Sequence, residues 1–230
     1  MKPADCPSPN RDSRGDTPID MLVLHYTGMK SGEAALARMC DPAAKVSAHY
    51  MIDEDGAVHA LVPEGMRAWH AGVSYWAGAR NINACSIGIE LVNPGHELGY
   101  RAFPDAQIAA LTELARGILA RHAIPAWRVL GHSDVAPMRK DDPGELFPWA
   151  SFAGQGIGLW PVKGDDPGEG KVTALLARFG YDPEAPLEKL VMAFQRHFRA
   201  LRVDGMADAE TRALLAGLIA LYDLKKGNAR

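Results

Sequence analysis

The stretch Gly131-His-Ser-Asp-Val-Ala-Pro-Met-Arg-Lys-Asp-Asp-Pro-Gly144 constrains this chain more than any other. Pro137 and Pro143 forbid a helix running through it, because proline lacks the amide donor and its ring clashes with the preceding turn. It follows a short apolar run, Arg128–Leu130, so it reads as a shaped loop at the end of a strand. Loops held on a rigid scaffold are where functional side chains concentrate. This one gathers His132, Lys140, Asp141 and Asp142.

Two other segments must share a core with it. Ile19-Asp-Met-Leu-Val-Leu24 is an apolar run ending at His25, as expected of a central strand buried on both faces. Cys85-Ser-Ile-Gly-Ile-Glu-Leu-Val92 is a second such strand, apolar apart from Ser86 and Glu90. Between them, 32–40 reads as a short helix with Leu36 and Met39 inward. Strands at 46–52 and 57–62 are joined by the hairpin turn Asp53-Glu-Asp-Gly56. Pro104 and Asp105 open the longest helix, which runs to about His122. Ile108, Leu111, Ala115, Ile118 and Leu119 mark its buried face, and Pro125 ends it. Strands interleaved with helices predict an α/β domain over 19–162, preceded by an irregular arm at 1–18. A Pro/Gly/Asp-rich linker over 163–170 leads to a small three-helix domain at 171–224, with helices at 172–179, 187–201 and 208–222 and a frayed tail from Lys225.

Composition narrows the function. A net charge of −3 over 230 residues argues against nucleic acid as the partner. No run approaches the ~20 apolar residues of a membrane span. The three cysteines have no metal-type spacing and are too few and too scattered for a disulfide framework. The start of the sequence is polar and proline-rich, without the apolar core of a signal peptide. The expected compartment is therefore the cytoplasm, or the periplasm if a leader is missing from this sequence.

His25 and His132 each follow a buried strand, so they can converge at one end of a sheet. Together with an aspartate of the loop they form a set suited to a catalytic zinc, which takes three protein ligands and leaves a position open. Asp141 and Asp142 compete for that place, and spacing does not choose between them. Hydrogen-bonded core histidines are the plainer reading of the same pattern. Glu90 is the candidate general base, since a carboxylate on an apolar strand is costly to bury without a partner or a purpose. A structural salt bridge is its plain alternative. Lys140 could stabilise an oxyanion. Trp69, His70, Tyr75 and Trp76 could form a sugar-stacking wall, though aromatics more often pack in cores. Asn81 and Asn83 could bind a ligand's amides or hydroxyls, or serve as turn formers. His49 reads as structural, and His59, His96, His122 and His197 lack company that would make them ligands.

Five segments carry a resemblance. Val23-Leu-His-Tyr-Thr27, Ser47-Ala-His-Tyr-Met-Ile52, Ala68-Trp-His-Ala-Gly72, Ser86-Ile-Gly-Ile-Glu-Leu91 and Gly131-His-Ser-Asp-Val-Ala-Pro137 with Arg139-Lys-Asp-Asp-Pro-Gly144 resemble, in order, the type-2 N-acetylmuramoyl-L-alanine amidases. These are zinc enzymes related to peptidoglycan-recognition proteins, and the resemblance covers about residues 15–162. It implies a mixed central β-sheet flanked by helices, and zinc on His25, His132 and Asp142. It also implies a catalytic carboxylate at Glu90 and a transition-state lysine at Lys140. The implied reaction hydrolyses the amide joining N-acetylmuramic acid, or its 1,6-anhydro form, to L-alanine in muropeptides or peptidoglycan. Tyr26, Arg67, Trp69, His70, Asn81 and Asn83 become candidate substrate contacts. A cytoplasmic amidase of this kind would serve peptidoglycan recycling. The alternative is a recognition protein that binds peptidoglycan without cutting it. The tail, through Ala193-Phe-Gln-Arg-His-Phe198 and Val203-Asp-Gly-Met-Ala-Asp208, resembles the peptidoglycan-binding three-helix domain often attached to such amidases.

Overall fold

The structure, a computed structural model, describes residues 4–228. The first residues of the expected arm and the last two of the expected tail lie outside that range. The strands, in chain order, are β1 (Ala4–Asp5), β2 (Arg11–Ser13), β3 (Met21–Tyr26), β4 (Tyr50–Ile52), β5 (Val58–Ala60), β6 (Met66–Ala68), β7 (Ser86–Leu91) and β8 (Val129–Gly131). The helices are α1 (Gly32–Cys40), α2 (Ile82–Cys85), α3 (Gly95–Leu98), α4 (Asp105–Arg121), α5 (His132–Val135), α6 (Trp149–Gly154), α7 (Val172–Phe179), α8 (Leu187–Phe198) and α9 (Ala209–Asn228). The main sheet has the order β1-β5-β4-β7-β3-β8, while β2 and β6 pair separately. β3 runs parallel to both β7 and β8, and β7 parallel to β4, whereas β4 and β5 are antiparallel. The sheet is thus mixed and flanked by helices, as the resemblance implies.

Period-two alternation divides the central strands between two cores. Leu22, Leu24, Ile87, Ile89, Leu91 and Val129 face α4 and α6, packing with Leu111, Ala115, Ile118 and Phe152. Met21, Val23 and Leu130 face the other way, into a core built largely from the C-terminal helices through Leu176, Phe179, Leu190, Phe194 and Leu218. Continued along this second face, the same alternation brings His25 after Val23, Glu90 after Gly88 and His132 after Leu130. The candidate chemistry is therefore the end of one buried face of the sheet.

Several expectations change. The arm is ordered rather than irregular: β1 pairs with β5, and β2 with β6. The buried Arg14 guanidinium donates to the carbonyls of Ala84, Ser86, Glu64 and Met66. The loop after β8 begins with one helical turn, α5, because its first proline comes only at 137. The linker is packed: Gly164 donates to the Ala213 carbonyl of α9, and a Cβ on Gly217 would lie 1.7 Å from the Val162 carbonyl oxygen. α9 continues through the expected frayed tail to Asn228. The C-terminal helices share one apolar core with the sheet, and composition alone could not reveal that. No helix among the described residues is long and apolar enough to cross a membrane.

Candidate active site

The register of the parallel strands assembles the site. His25 on β3 lies beside Glu90 on β7, and Leu24 lies beside Gly131, so His132 leaves β8 next to His25. The loop then returns Asp142 to the same point. His25 Nδ1 and His132 Nδ1 are 2.9 Å apart, and Asp142 Oδ2 stands 3.1 Å from the first and 3.0 Å from the second. All three residues are buried. Burial and the neighbouring His132 push the His25 imidazole down to about 4, so it is neutral at pH 7.

Hydrogen bonds behind the two imidazoles decide which nitrogen faces forward. His132 Nε2–H donates to the Ala71 carbonyl at 3.0 Å. His25 Nε2 lies 3.0 Å from His70 Nδ1, and His70 Nε2 lies 3.1 Å from Ser86 Oγ, which donates to the Ile82 carbonyl. A carbonyl must end this chain as acceptor, so protons run from His25 Nε2 to His70 and from His70 Nε2 to Ser86. Both histidines therefore turn an unprotonated Nδ1 toward Asp142. Three electron-pair donors converge with no proton between them, an arrangement that suits a cation. Ligands tetrahedrally disposed about zinc at ~2.0–2.2 Å sit roughly 3.3–3.6 Å apart, a few tenths of an ångström wider than these three atoms stand.

The cleft in front of this triad, about 410 Å³, is lined by Tyr26, Trp69, His70, Glu90, Lys140 and Asp142 among others. Glu90 Oε2 is buried without a hydrogen-bond partner. Burial, reinforced by the Asp142 charge and opposed by Lys140, holds the Glu90 carboxyl well above the usual range.

The structure thus brings together His25, His132, Asp142, Glu90, Lys140, Tyr26, Trp69 and His70. The Asp142 carboxylate joins the histidines, whereas Asp141 pairs outward with Arg196 at 2.6 Å. His70 backs His25 as well as lining the cleft. Its ring lies against Gly88, where a Cβ would sit 2.4 Å from His70 Cγ, and so a glycine interrupts this apolar strand. Three expected contacts are not brought into the cleft. Arg67 forms a two-point ion pair with Asp12 (2.6 and 2.5 Å) and donates to Asn81 Oδ1 at 3.3 Å. Asn83 Oδ1 accepts from the amides of His70 and Ala71, fixing the segment whose carbonyl anchors His132. Trp76 leaves the supposed aromatic wall altogether, stacking edge-on with Phe179 and Tyr181 in the core. Ala71, acting through its backbone, and Arg139, which donates to that same carbonyl, were not expected at the site. A backbone acceptor leaves no trace in residue type.

The fold and this site define a class of protein, and comparison with known proteins agrees. The family model for N-acetylmuramoyl-L-alanine amidase matches residues 15–145. The chain belongs to that family of amide hydrolases. It is 41% identical to the N-acetylmuramoyl-L-alanine amidase AmiD of Escherichia coli K12, over 89% of this chain and 83% of that protein. It is 38% identical to the 1,6-anhydro-N-acetylmuramyl-L-alanine amidase AmpD of the same strain, over 64% of this chain and 87% of that protein. Among solved structures, E. coli AmiD in complex with the substrate anhydro-N-acetylmuramic acid-L-Ala-D-γ-Glu-L-Lys superposes with a TM-score of 0.80 at 39% identity, covering 92% of this chain and 93% of that one. AmpDh3 of Pseudomonas aeruginosa, in complex with anhydromuramic pentapeptide, gives a TM-score of 0.81 at 34% identity, covering 89% and 92%.

Proposed function

We propose that this chain is a zinc amidase that cleaves the bond between the lactyl carbonyl of N-acetylmuramic acid, or its 1,6-anhydro form, and the nitrogen of L-alanine in muropeptides. The carrying observation is the convergence of two unprotonated Nδ1 atoms and a carboxylate oxygen in front of an unpartnered buried glutamate. His25, His132 and Asp142 would hold the zinc, which supplies a Lewis acid for the scissile carbonyl and acidity for a water near neutral pH.

The chain's own groups do the rest. Glu90 Oε2, with no other partner, accepts the proton of the attacking water and returns it to the departing amine. Its raised pKa suits the first step, since a more basic carboxylate takes up a proton more readily. The Lys140 ammonium stabilises negative charge developing on the carbonyl oxygen. Trp69 and Tyr26 wall the cleft and offer flat faces to the sugar and peptide. His70 and the Ala71 carbonyl keep the ligand histidines oriented. Recognition without cleavage would give the buried, unpartnered Glu90 Oε2 no purpose, so the catalytic reading is preferred.

For the three C-terminal helices, the resemblance supports peptidoglycan binding. Co-sedimentation of the Glu90→Gln chain with murein sacculi tests that role.

The purified chain should carry about one zinc. Given an anhydro-muropeptide, it should release a peptide with a free L-alanine amine, detected by mass spectrometry. A chelator should stop the release, and replacing the zinc should restore it. Running intact murein in parallel bears on recycling against wall cleavage. A chain that holds zinc and cuts neither substrate would contradict the proposal.

A further inference from the structure

Helix α8 touches both segments that carry the metal-ligand candidates, and it does so with two consecutive residues. Asp134 lies two positions after His132. Its Oδ2 caps the start of α5 by accepting from the Gly131 amide at 2.8 Å. The same oxygen accepts from His197 Nδ1 of α8 at 2.7 Å, and Asp134 Oδ1 accepts from the Tyr181 hydroxyl at 2.6 Å. Tyr181 lies between α7 and α8, is fully buried, and keeps its proton because burial and the Asp134 charge raise its pKa well above the ordinary value. The His197 ring is clamped between Trp149 (centroids 3.7 Å apart) and Phe198 (3.9 Å). The other ligand segment is gripped at Asp141, directly before Asp142, by Arg196 at 2.6 Å. The two segments are also joined to each other, since the Ser133 amide donates to the Asp142 carbonyl at 2.8 Å.

A wall-binding module needs no buried polar connection to the metal site. Buried polar groups are costly, and this connection is kept although Arg196 Nε and His197 Nε2 are themselves buried without partners, so the bonds it does make fix the parts they join. Here the network ends on the neighbours of two of the three ligand candidates. We infer that the C-terminal helices are a positioning element for the metal centre: Tyr181 and His197, through Asp134, set the direction of His132, while Arg196, through Asp141, sets that of Asp142. This rests on the metal-site reading above and adds that the centre is incomplete without α8. His197, which in the sequence has no company that would make it a ligand, acts instead through Asp134.

The test compares zinc affinity, measured by competition with a chromogenic chelator, in the full-length chain and in Tyr181→Phe, Arg196→Met and Arg196→Lys, each checked for folding by circular dichroism. Partners behind metal ligands typically change affinity by ~10–100-fold. Tyr181→Phe and Arg196→Met should weaken zinc binding by that much, with turnover recovering as zinc is raised and KM for the muropeptide unchanged. Arg196→Lys should recover most of the loss. Arg178→Met, which breaks the exposed Arg178–Asp223 pair between α7 and α9 (2.8 Å), should leave affinity and turnover unchanged. A purely architectural module would instead lower the melting temperature in all these variants with zinc affinity constant, and that result overturns the inference. If Tyr181→Phe fails to fold, the Asp141–Arg196 pair, half-exposed at Asp141, carries the test alone. A wild-type chain that binds no zinc overturns the metal-site reading itself, a result that cannot be confused with unequal affinities among zinc-binding variants.

Discussion

Two partly buried glutamates on opposite sides of β4 show how differently one residue type can be used. Glu64 accepts from Tyr50 Oη at 2.8 Å, Arg121 Nη2 at 2.6 Å and His122 Nε2 at 2.7 Å. Burial would raise its pKa, but these partners, Arg121 foremost, bring it down to about 2. Glu90 faces the cleft with Oε2 unpartnered, and burial drives its pKa the other way. Glu64 is what a structural carboxylate looks like: each oxygen is occupied and the charge is neutralised. Glu90 keeps an oxygen free, which is what a proton carrier requires. The lesson is that burial alone does not mark a working carboxylate, whereas burial without partners, opposite a converged donor set, does.

The contrast can be sharpened from its largest expected effect downward. Lys140 shares the cleft with Glu90 and, as an oxyanion stabiliser, should act on turnover. Lys140→Met should lower kcat by ~10²–10³ with zinc content unchanged in metal analysis. A change confined to KM would move Lys140 from the chemistry to binding. His70 stands one hydrogen bond behind His25, a metal-ligand candidate, so His70→Phe, which keeps an aromatic ring but removes its acceptor, should weaken zinc binding by ~10–100-fold in chelator competition.

The two glutamates should then differ in the sign of their effect on stability. A carboxyl whose folded pKa is depressed contributes stability above its unfolded value, and that contribution is lost as pH falls through the folded one. Glu64→Gln should therefore destabilise the chain at pH 7, by an amount on the order of 2 kcal/mol. The deficit should close as pH drops from 4.5 toward about 2, and turnover should stay within about twofold. A raised carboxyl has the opposite linkage, since its stability is greatest below the unfolded value and falls as pH rises. In metal-free protein, Glu90→Gln should raise the melting temperature at pH 7 and lose that advantage below pH 4.5. Urea or thermal unfolding across this range reads both signs, and the same sign for both would erase the distinction.

Much of this was legible in the sequence. The apolar runs ending at His25 and surrounding Glu90 announced their strands, because nothing but a doubly buried strand explains so many apolar residues in a row. Helix α1 and the boundaries of α4 and α7 followed from periodicity and prolines. The polar loop announced Asp142, though only the resemblance chose it over Asp141, and Arg196 now gives the physical reason for Asp141's different use. The rest depended on long-range partners that residue type does not encode. Arg67 and Asn81 look like ligand-binding residues, yet Asp12 in the arm captures Arg67 and Arg67 engages Asn81. Trp76 looks like a sugar platform until Phe179 and Tyr181, about a hundred residues on, close over it. The linker looked free because of its glycines and proline, and only its contacts with α9, Gly164 on the Ala213 carbonyl and Asp166 on Arg212, show where it docks.

The most direct measurement is steady-state turnover of an anhydro-muropeptide by Glu90→Gln, with zinc content determined on the same sample. An isosteric amide preserves the shape of the cleft and removes only the ability to take up a proton. Full zinc occupancy with kcat reduced by ~10²–10⁴ is the expected result. Full occupancy with undiminished kcat would show that this unpartnered carboxylate carries no proton, and would contradict the account at its centre.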